Sequence, residues 1–128
     1  MNKEKIIWII VLLFGLLLIG RTALSEHGMG TVYVKGIEVN SKSYFLYSQL
    51  AFLDNEMQNY TDAIENANRA LSLKRNYGPA LIALATANVY LCNMVAAEDA
   101  FKRARSYDRR QVSQLQEWAA EHNKTICK

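Results

Sequence analysis

The sequence is poor in the residues that carry catalysis and bind metals. It has two histidines, His27 and His122, which lie far apart without partners at metal-ligand spacing. It also lacks a glycine-rich phosphate loop after a strand, a serine with a placed base, and a glutamate pair that stands out from solvated helix faces. We therefore predict a protein that is not an enzyme and that has no cofactor, metal site or small-molecule substrate.

Long runs of one charge are absent as well. The net charge is +3 over 128 residues, and basic residues alternate with acidic ones between Glu98 and Asp108. This mixture is typical of a solvated helix face, so nucleic acid is not the expected partner. After the first two dozen residues, about a hundred remain, which is enough for one small domain.

Charge is missing altogether from Ile6 to Gly20, a run preceded by Lys3 and Lys5 and followed by Arg21. A helix of this length spans about 22 Å, and residues 22–24 extend it toward the ~30 Å of a hydrocarbon core. We predict a transmembrane anchor over residues 1–24. The two lysines before the run favour a cytoplasmic N-terminus, a single pass through the inner (cytoplasmic) membrane, and a periplasmic C-terminal domain.

A cleaved signal peptide is the alternative interpretation of this run. Ala23 and Ser25 stand at the positions that a cleavage site after Ser25 requires. No lipobox cysteine follows, so lipid anchoring is not expected.

Residues 25–43 have the composition of a linker. Three glycines flank the alternating stretch from Thr31 to Lys35, which predicts a short extended segment. Such a segment would pack on the first helix or pair with a sheet edge of another protein. Asn40, Ser41 and Ser43 then offer side-chain oxygens to cap a helix that begins near Lys42.

The rest of the chain repeats itself at a spacing of thirty-four residues. Eight positions are identical without a gap when residues 44–77 are laid over residues 78–111. They are Leu50 and Leu84, Ala51 and Ala85, Asn59 and Asn93, Ala63 and Ala97, Arg69 and Arg103, Ala70 and Ala104, Ser72 and Ser106, and Arg75 and Arg109. A period of this length, with small and apolar residues three, four and seven apart, is typical of stacked helical hairpins.

This pattern predicts an all-α domain of five helices. Their expected bounds are Lys42 to Met57, Tyr60 to Leu73, Pro79 to Cys92, Val95 to Tyr107, and Arg110 to Glu121. Pro79 suits a first helical turn, where its missing N–H has no helical partner to lose.

The repeats resemble the tetratricopeptide (TPR) family. The residues at the pattern positions of that family are Tyr47, Leu50, Ala51, Tyr60, Ala63 and Ala70, then Leu81, Leu84, Ala85, Met94, Ala97, Phe101 and Ala104. The resemblance implies one repeat over residues 44–77, a second over 78–109, and a capping helix with a tail over 110–128. The chain departs from the pattern at the late aromatic (Asp54, Asn88), the turn glycine (Gln58, Cys92) and the closing proline (Arg75, Arg109).

In that family, the first helix of each pair lines a concave groove that binds a partner's peptide or helix. Carried over, the groove would be formed by Phe45, Ser48, Phe52, Asn55, Ile82, Thr86, Val89 and Tyr90. This surface is apolar and lacks the basic residues that clamp a terminal carboxylate, so it suits an apolar partner helix. Alternatively, Phe45 and Phe52 pack against the linker.

A stack of hairpins also implies a pairing of the two cysteines. The capping helix would run parallel to the first helix of the preceding pair, so Cys92 and Cys127 would follow neighbouring helix ends. In an oxidising compartment they would form a disulfide. Otherwise Cys92 is buried and Cys127 is free.

These features favour a membrane-anchored accessory or assembly subunit whose partners are other protein subunits of a larger membrane or envelope complex. The alternative is a signal-cleaved periplasmic adaptor for secretion, pilus or envelope biogenesis. A stack of only two repeats leaves its N-terminal face open. The candidates to cover this face are residues 28–40, a second copy of the chain and another subunit.

Overall fold

The computed structural model describes residues 28–127, and it is helical throughout apart from short turns. The chain divides into two units between Val32 and Tyr33, and the packing described below is that of the second unit. The predicted anchor or signal peptide lies outside the described residues. Within the described part, no helix has the length and apolarity needed to cross a membrane.

Six helices follow one another along this part of the chain. They are α1 (residues 28–39), α2 (Tyr44–Glu56), α3 (Tyr60–Leu73), α4 (Gly78–Tyr90), α5 (Met94–Ala104) and α6 (Arg109–Thr125). The all-α prediction is therefore confirmed for the described residues. The bounds of α2 to α6 differ from the expected ones by up to four residues, with the largest difference at the end of α6.

The extended segment predicted for Thr31 to Lys35 is wrong, because these residues lie within α1. The alternation of β-branched and polar residues favours a strand only where neighbouring strands pair with it. A lone strand leaves its backbone N–H and C=O groups without partners, whereas a helix satisfies them within the segment. Gly36 of α1 lies against the side chain of Leu46, so α1 covers part of α2.

Helices α2 and α3 form one hairpin, α4 and α5 form a second, and α6 packs on the second hairpin. Helix α4 contacts α2, α3, α5 and α6, and α2 and α6 lie on either side of it. The core is made largely of α4 and α5, with Leu81, Val89 and Phe101 fully buried. Alanines such as Ala67 and Ala97 occupy the contacts between helices and allow them to approach closely.

Side-chain caps begin several of these helices. The hydroxyl of Ser43 accepts from the N–H of Leu46 at 3.3 Å, as expected for a helix that starts after the serine pair. Asp108 accepts from the N–H of Gln111 at 2.9 Å at the start of α6. These local signals explain why the helix starts were visible in the sequence.

Helices α2 and α4 end in the same turn, although neither has the glycine that such a turn favours. Gln58 and Cys92 adopt positive φ values of 64° and 58°. Asn59 N–H donates to Asp54 C=O at 2.8 Å, and Asn93 N–H donates to Asn88 C=O at 2.8 Å. This is the Schellman arrangement, and non-glycine residues adopt it at an energetic cost.

Candidate functional site

The stack has two edges, which we name after the ends of α2, α4 and α6. At the carboxyl-terminal edge these three helices end, and α3 and α5 begin. At the amino-terminal edge α2, α4 and α6 begin, and α3 and α5 end. Contacts between side chains fix this arrangement: Tyr60 stacks on Tyr90 at one edge, and Tyr44 meets Tyr77 at the other, with ring centroids 4.6 and 4.9 Å apart.

Three of the eight predicted groove residues are buried and so cannot contact a partner in this structure. Ser48 and Val89 have no exposed surface, and Ile82 has 4%. The hydroxyl of Ser48 donates to the carbonyl of Phe45 within α2. The close approach of the helices around α4 places these three positions inside the stack.

The other five predicted residues keep some exposure. Phe45 is 51% exposed and Tyr90 is 39% exposed, while Phe52, Asn55 and Thr86 are half-buried. Phe52 packs against the core rather than pointing freely to solvent. The accessible part of the predicted groove is therefore limited to these five residues.

Asn55 connects α2 to α4. Its Nδ2 donates to the carbonyl of Ala83 at 2.9 Å. Its Oδ1 is buried and has no hydrogen-bond partner within the described part of the chain. Asn55 thus has a structural contact that its predicted groove role did not include.

An aromatic cluster at the carboxyl-terminal edge was not predicted. Tyr90 lies at its centre, stacked on Tyr60 and in contact with Trp118 and His122 at centroid distances of 5.4 and 5.2 Å. It joins α3, α4 and α6. Burial raises the pKa of Tyr60 above its ordinary value, and neighbouring Tyr90 raises it further.

The disulfide lies beside this cluster. Cys92 and Cys127 are bonded, with their Cα atoms 5.4 Å apart, and the Cys127 sulfur also lies 3.9 Å from the carbonyl of Val89. The bond ties the chain that follows α6 to the turn that follows α4. Because Cys92 is exposed, the bond can be reached by solvent.

Each of the three parallel helices ends in an exposed apolar residue at this edge. Met57, Leu91 and Ile126 are the C-cap residues of α2, α4 and α6, and they are 39, 47 and 65% exposed. A pocket of about 300 Å³ lies beside Leu91, between that residue and the segment from Gln58 to Asp62. The repeat carried a signal for this row, since Met57 and Leu91 are thirty-four residues apart.

A polar pair, Asp54 and Asn66, lies within the first hairpin. Asp54 is 8% exposed and accepts from Asn66 Nδ2 at 2.8 Å. Burial raises the pKa of Asp54, the hydrogen bond from Asn66 lowers it in part, and Asp62 raises it again. The hydrogen bond between Asn66 and Asp54 is a packing contact between α2 and α3.

Exposed apolar side chains and aromatic rings lie together at the carboxyl-terminal edge. Among residues 28–127, no three His, Cys, Asp or Glu side chains are grouped so as to hold a metal ion. His122 packs against aromatic rings, and its Nε2 is buried without a partner among the described residues. No family model matches the chain.

Proposed function

We propose that this chain is a membrane-anchored, non-catalytic protein-interaction module of the TPR type, serving as an accessory or assembly subunit of a larger membrane or envelope complex. Residues 1–24 supply the anchor, and the stacked hairpins present a docking surface. The row formed by Met57, Leu91 and Ile126 is the observation that carries the proposal. Exposed apolar residues side by side on a small domain mark contact with another protein.

The disulfide supports the periplasmic placement of the domain. Protein disulfides persist in oxidising compartments and are rare where thiols are kept reduced. A bond between Cys92 and Cys127 is therefore consistent with an exported domain behind an uncleaved anchor.

Unlike three residues of the predicted groove, the residues of this row are exposed to solvent. A partner helix laid across the edge would meet the row and Tyr90 without displacing a core residue. By contrast, a partner in the predicted groove would have to displace the packing around Ser48 and Val89.

The test replaces Leu91 and Ile126 with serine in the full-length protein and measures how much partner co-purifies from its own membranes in mild detergent. Both side chains are exposed, so folding should change little. We expect at least a tenfold loss of bound partner, because apolar anchors at a docking surface contribute about 1–2 kcal/mol each. Val39→Ser is the matched control, since Val39 is 90% exposed but lies at the end of α1.

Equal recovery of partner with wild type and with the double variant would contradict the proposed docking surface. The mass of the chain in the same preparation tests the anchor. A full-length mass supports the anchor, whereas a chain shortened by about 25 residues identifies a cleaved signal peptide.

A further inference from the structure

Folding gathers the basic residues of the domain at the amino-terminal edge. The segments that meet there are residues 40–44, 73–78 and 102–111. They contain Lys42, Lys74, Arg75, Lys102, Arg103, Arg105, Arg109 and Arg110, against the single acidic residue Asp108. The segments at the carboxyl-terminal edge, residues 54–62, 88–96 and 121–127, hold four acidic residues and one lysine.

Contacts between side chains and backbone show that the basic segments are neighbours. Lys74 Nζ lies over the ring of Tyr44, 4.6 Å from its centroid, which joins the second segment to the first. Arg103 Nη2 donates to the carbonyl of Arg75 at 3.0 Å, and the ring of Tyr107 packs on Gly78, which join the second segment to the third. The charge is therefore a continuous surface and not a feature of one helix.

Helix dipoles explain part of this charge. Lys102 and Arg103 lie in the last turn of α5, where a cation stabilises the helix terminus. Arg109 and Arg110 are different, because they are the first two residues of α6, where the dipole disfavours cations. The helix dipole therefore does not explain these two arginines.

Few of these cations are neutralised within the protein. Arg103 pairs with Asp99 at 3.8 Å, which is the ion pair found among residues 28–127. Two large side chains stand exposed among the cations: Leu73 at 38% and Tyr107 at 58%, at equivalent positions of the two repeats. Cations interspersed with exposed aromatic and apolar side chains are typical of surfaces that rest on lipid headgroups.

We propose that the amino-terminal edge docks on an anionic phospholipid surface, with Arg75, Arg109 and Arg110 at the headgroups and Tyr107 at the boundary with the acyl chains. This inference rests on the proposed membrane anchoring, which keeps the domain near a bilayer. The charge of the edge is complementary to phosphate, and the contact leaves the carboxyl-terminal edge free for a protein partner.

The test uses the full chain reconstituted into vesicles of phosphatidylcholine, with and without phosphatidylglycerol. Hydrogen exchange is followed in peptides that cover residues 73–78 and 104–111, with residues 88–96 as the internal reference. We expect slower exchange of the two basic segments in the anionic vesicles alone, and loss of that protection in high salt. Each cation near an anionic surface contributes about 1 kcal/mol, so R109Q/R110Q should weaken docking about thirtyfold.

The control is K124Q, which removes a cation at the carboxyl-terminal edge and should leave the protection unchanged. R109Q/R110Q should be at least as stable to heat as wild type, since α6 loses two cations from its amino terminus. That result separates lost docking from lost folding.

Equal exchange in neutral and anionic vesicles overturns the proposal. Protection by a polyglutamate peptide or an oligonucleotide, but not by anionic vesicles, also overturns it and assigns the edge to an acidic protein or to nucleic acid. If residues 1–24 do not anchor the chain, it will not float with phosphatidylcholine vesicles. Docking of the amino-terminal edge is then still measured by flotation with anionic vesicles.

Discussion

Removal of the Cys92–Cys127 disulfide should lower the free energy of unfolding substantially. The bond joins residues 35 apart in sequence and encloses α5 and α6. The loop-entropy relation gives about 4 kcal/mol at 25 °C for a loop of this length. Measured losses for native disulfides in small domains are about 2–5 kcal/mol, so we expect Cys127→Ser to lose about 2–4 kcal/mol.

The loss should begin at the end of α6. This helix buries Val112 and Ala119, and beyond Ala119 the ring of His122 packs on Tyr90 and Trp118. The chain beyond His122 is fastened mainly by the disulfide. Amides of residues 120–127 should therefore exchange faster in Cys127→Ser well below its unfolding temperature.

Circular dichroism of the full chain in detergent, scanned with and without a dithiol reductant, measures the effect. For a domain of this size, 1 kcal/mol corresponds to about 4–8 °C in Tm, so a decrease of about 10–25 °C is expected. Cys92→Ser, Cys127→Ser and the double variant should unfold at the same temperature, because each removes the same covalent bond.

Two results would refute this reasoning. One is a wild-type Tm that changes by less than about 3 °C on reduction, equivalent to less than about 0.8 kcal/mol. The other is mass analysis under non-reducing conditions that shows two free thiols in the purified protein.

A further pair of variants measures the backbone strain at Cys92. Cys92→Gly with Cys127→Ser should be about 0.5–1 kcal/mol more stable than the double serine variant, since glycine adopts a φ of 58° without strain.

Three further predictions follow from single contacts. Gln58→Gly should stabilise the domain by about 0.5–1 kcal/mol in urea unfolding, whereas Gln58→Ala should not. The reason is that a φ of 64° strains any residue with a side chain. Equal urea midpoints for the two variants would contradict this. Burial raises the folded-state pKa of Asp54, so its ionisation opposes folding as pH rises from the unfolded pKa past the folded one. Asp54→Asn should therefore remove a fall in Tm over that weakly acidic window, and an unchanged pH profile would exclude Asp54 as the cause. Gly78→Ala should lose about 1–3 kcal/mol because the added methyl meets the Tyr107 ring, and Gly78→Ala with Tyr107→Ala should recover most of that loss relative to Tyr107→Ala alone.

Local signals in the sequence determined the helices of this domain. The thirty-four-residue period, the cap at Ser43 and the proline after Gly78 placed the elements within a few residues, because caps and amphipathic faces act over one or two turns. The proximity of Cys92 and Cys127 also followed from the repeat, since parallel helices of similar length end at the same edge. The exception was α1, where a strand-like pattern gave way to a helix because residues 28–127 contain no strand to pair with it.

Only the tertiary structure decided which side chains of these helices are accessible. The TPR resemblance implied that Ser48, Ile82 and Val89 line a groove with Phe45, but the packing around α4 buries the first three and leaves Phe45 exposed. Exposure depends on how closely neighbouring helices approach, and that distance depends on small residues from several segments at once.

The segregation of charge was likewise invisible along the chain. In sequence, basic residues are mixed with acidic ones and indicate an ordinary solvated face. Folding back at each turn brings residues 40–44, 73–78 and 102–111 together, as the Lys74–Tyr44 and Arg103–Arg75 contacts show. Electrostatic potential adds up over distance in space and not over separation in sequence, so only the folded stack reveals one basic edge and one apolar edge.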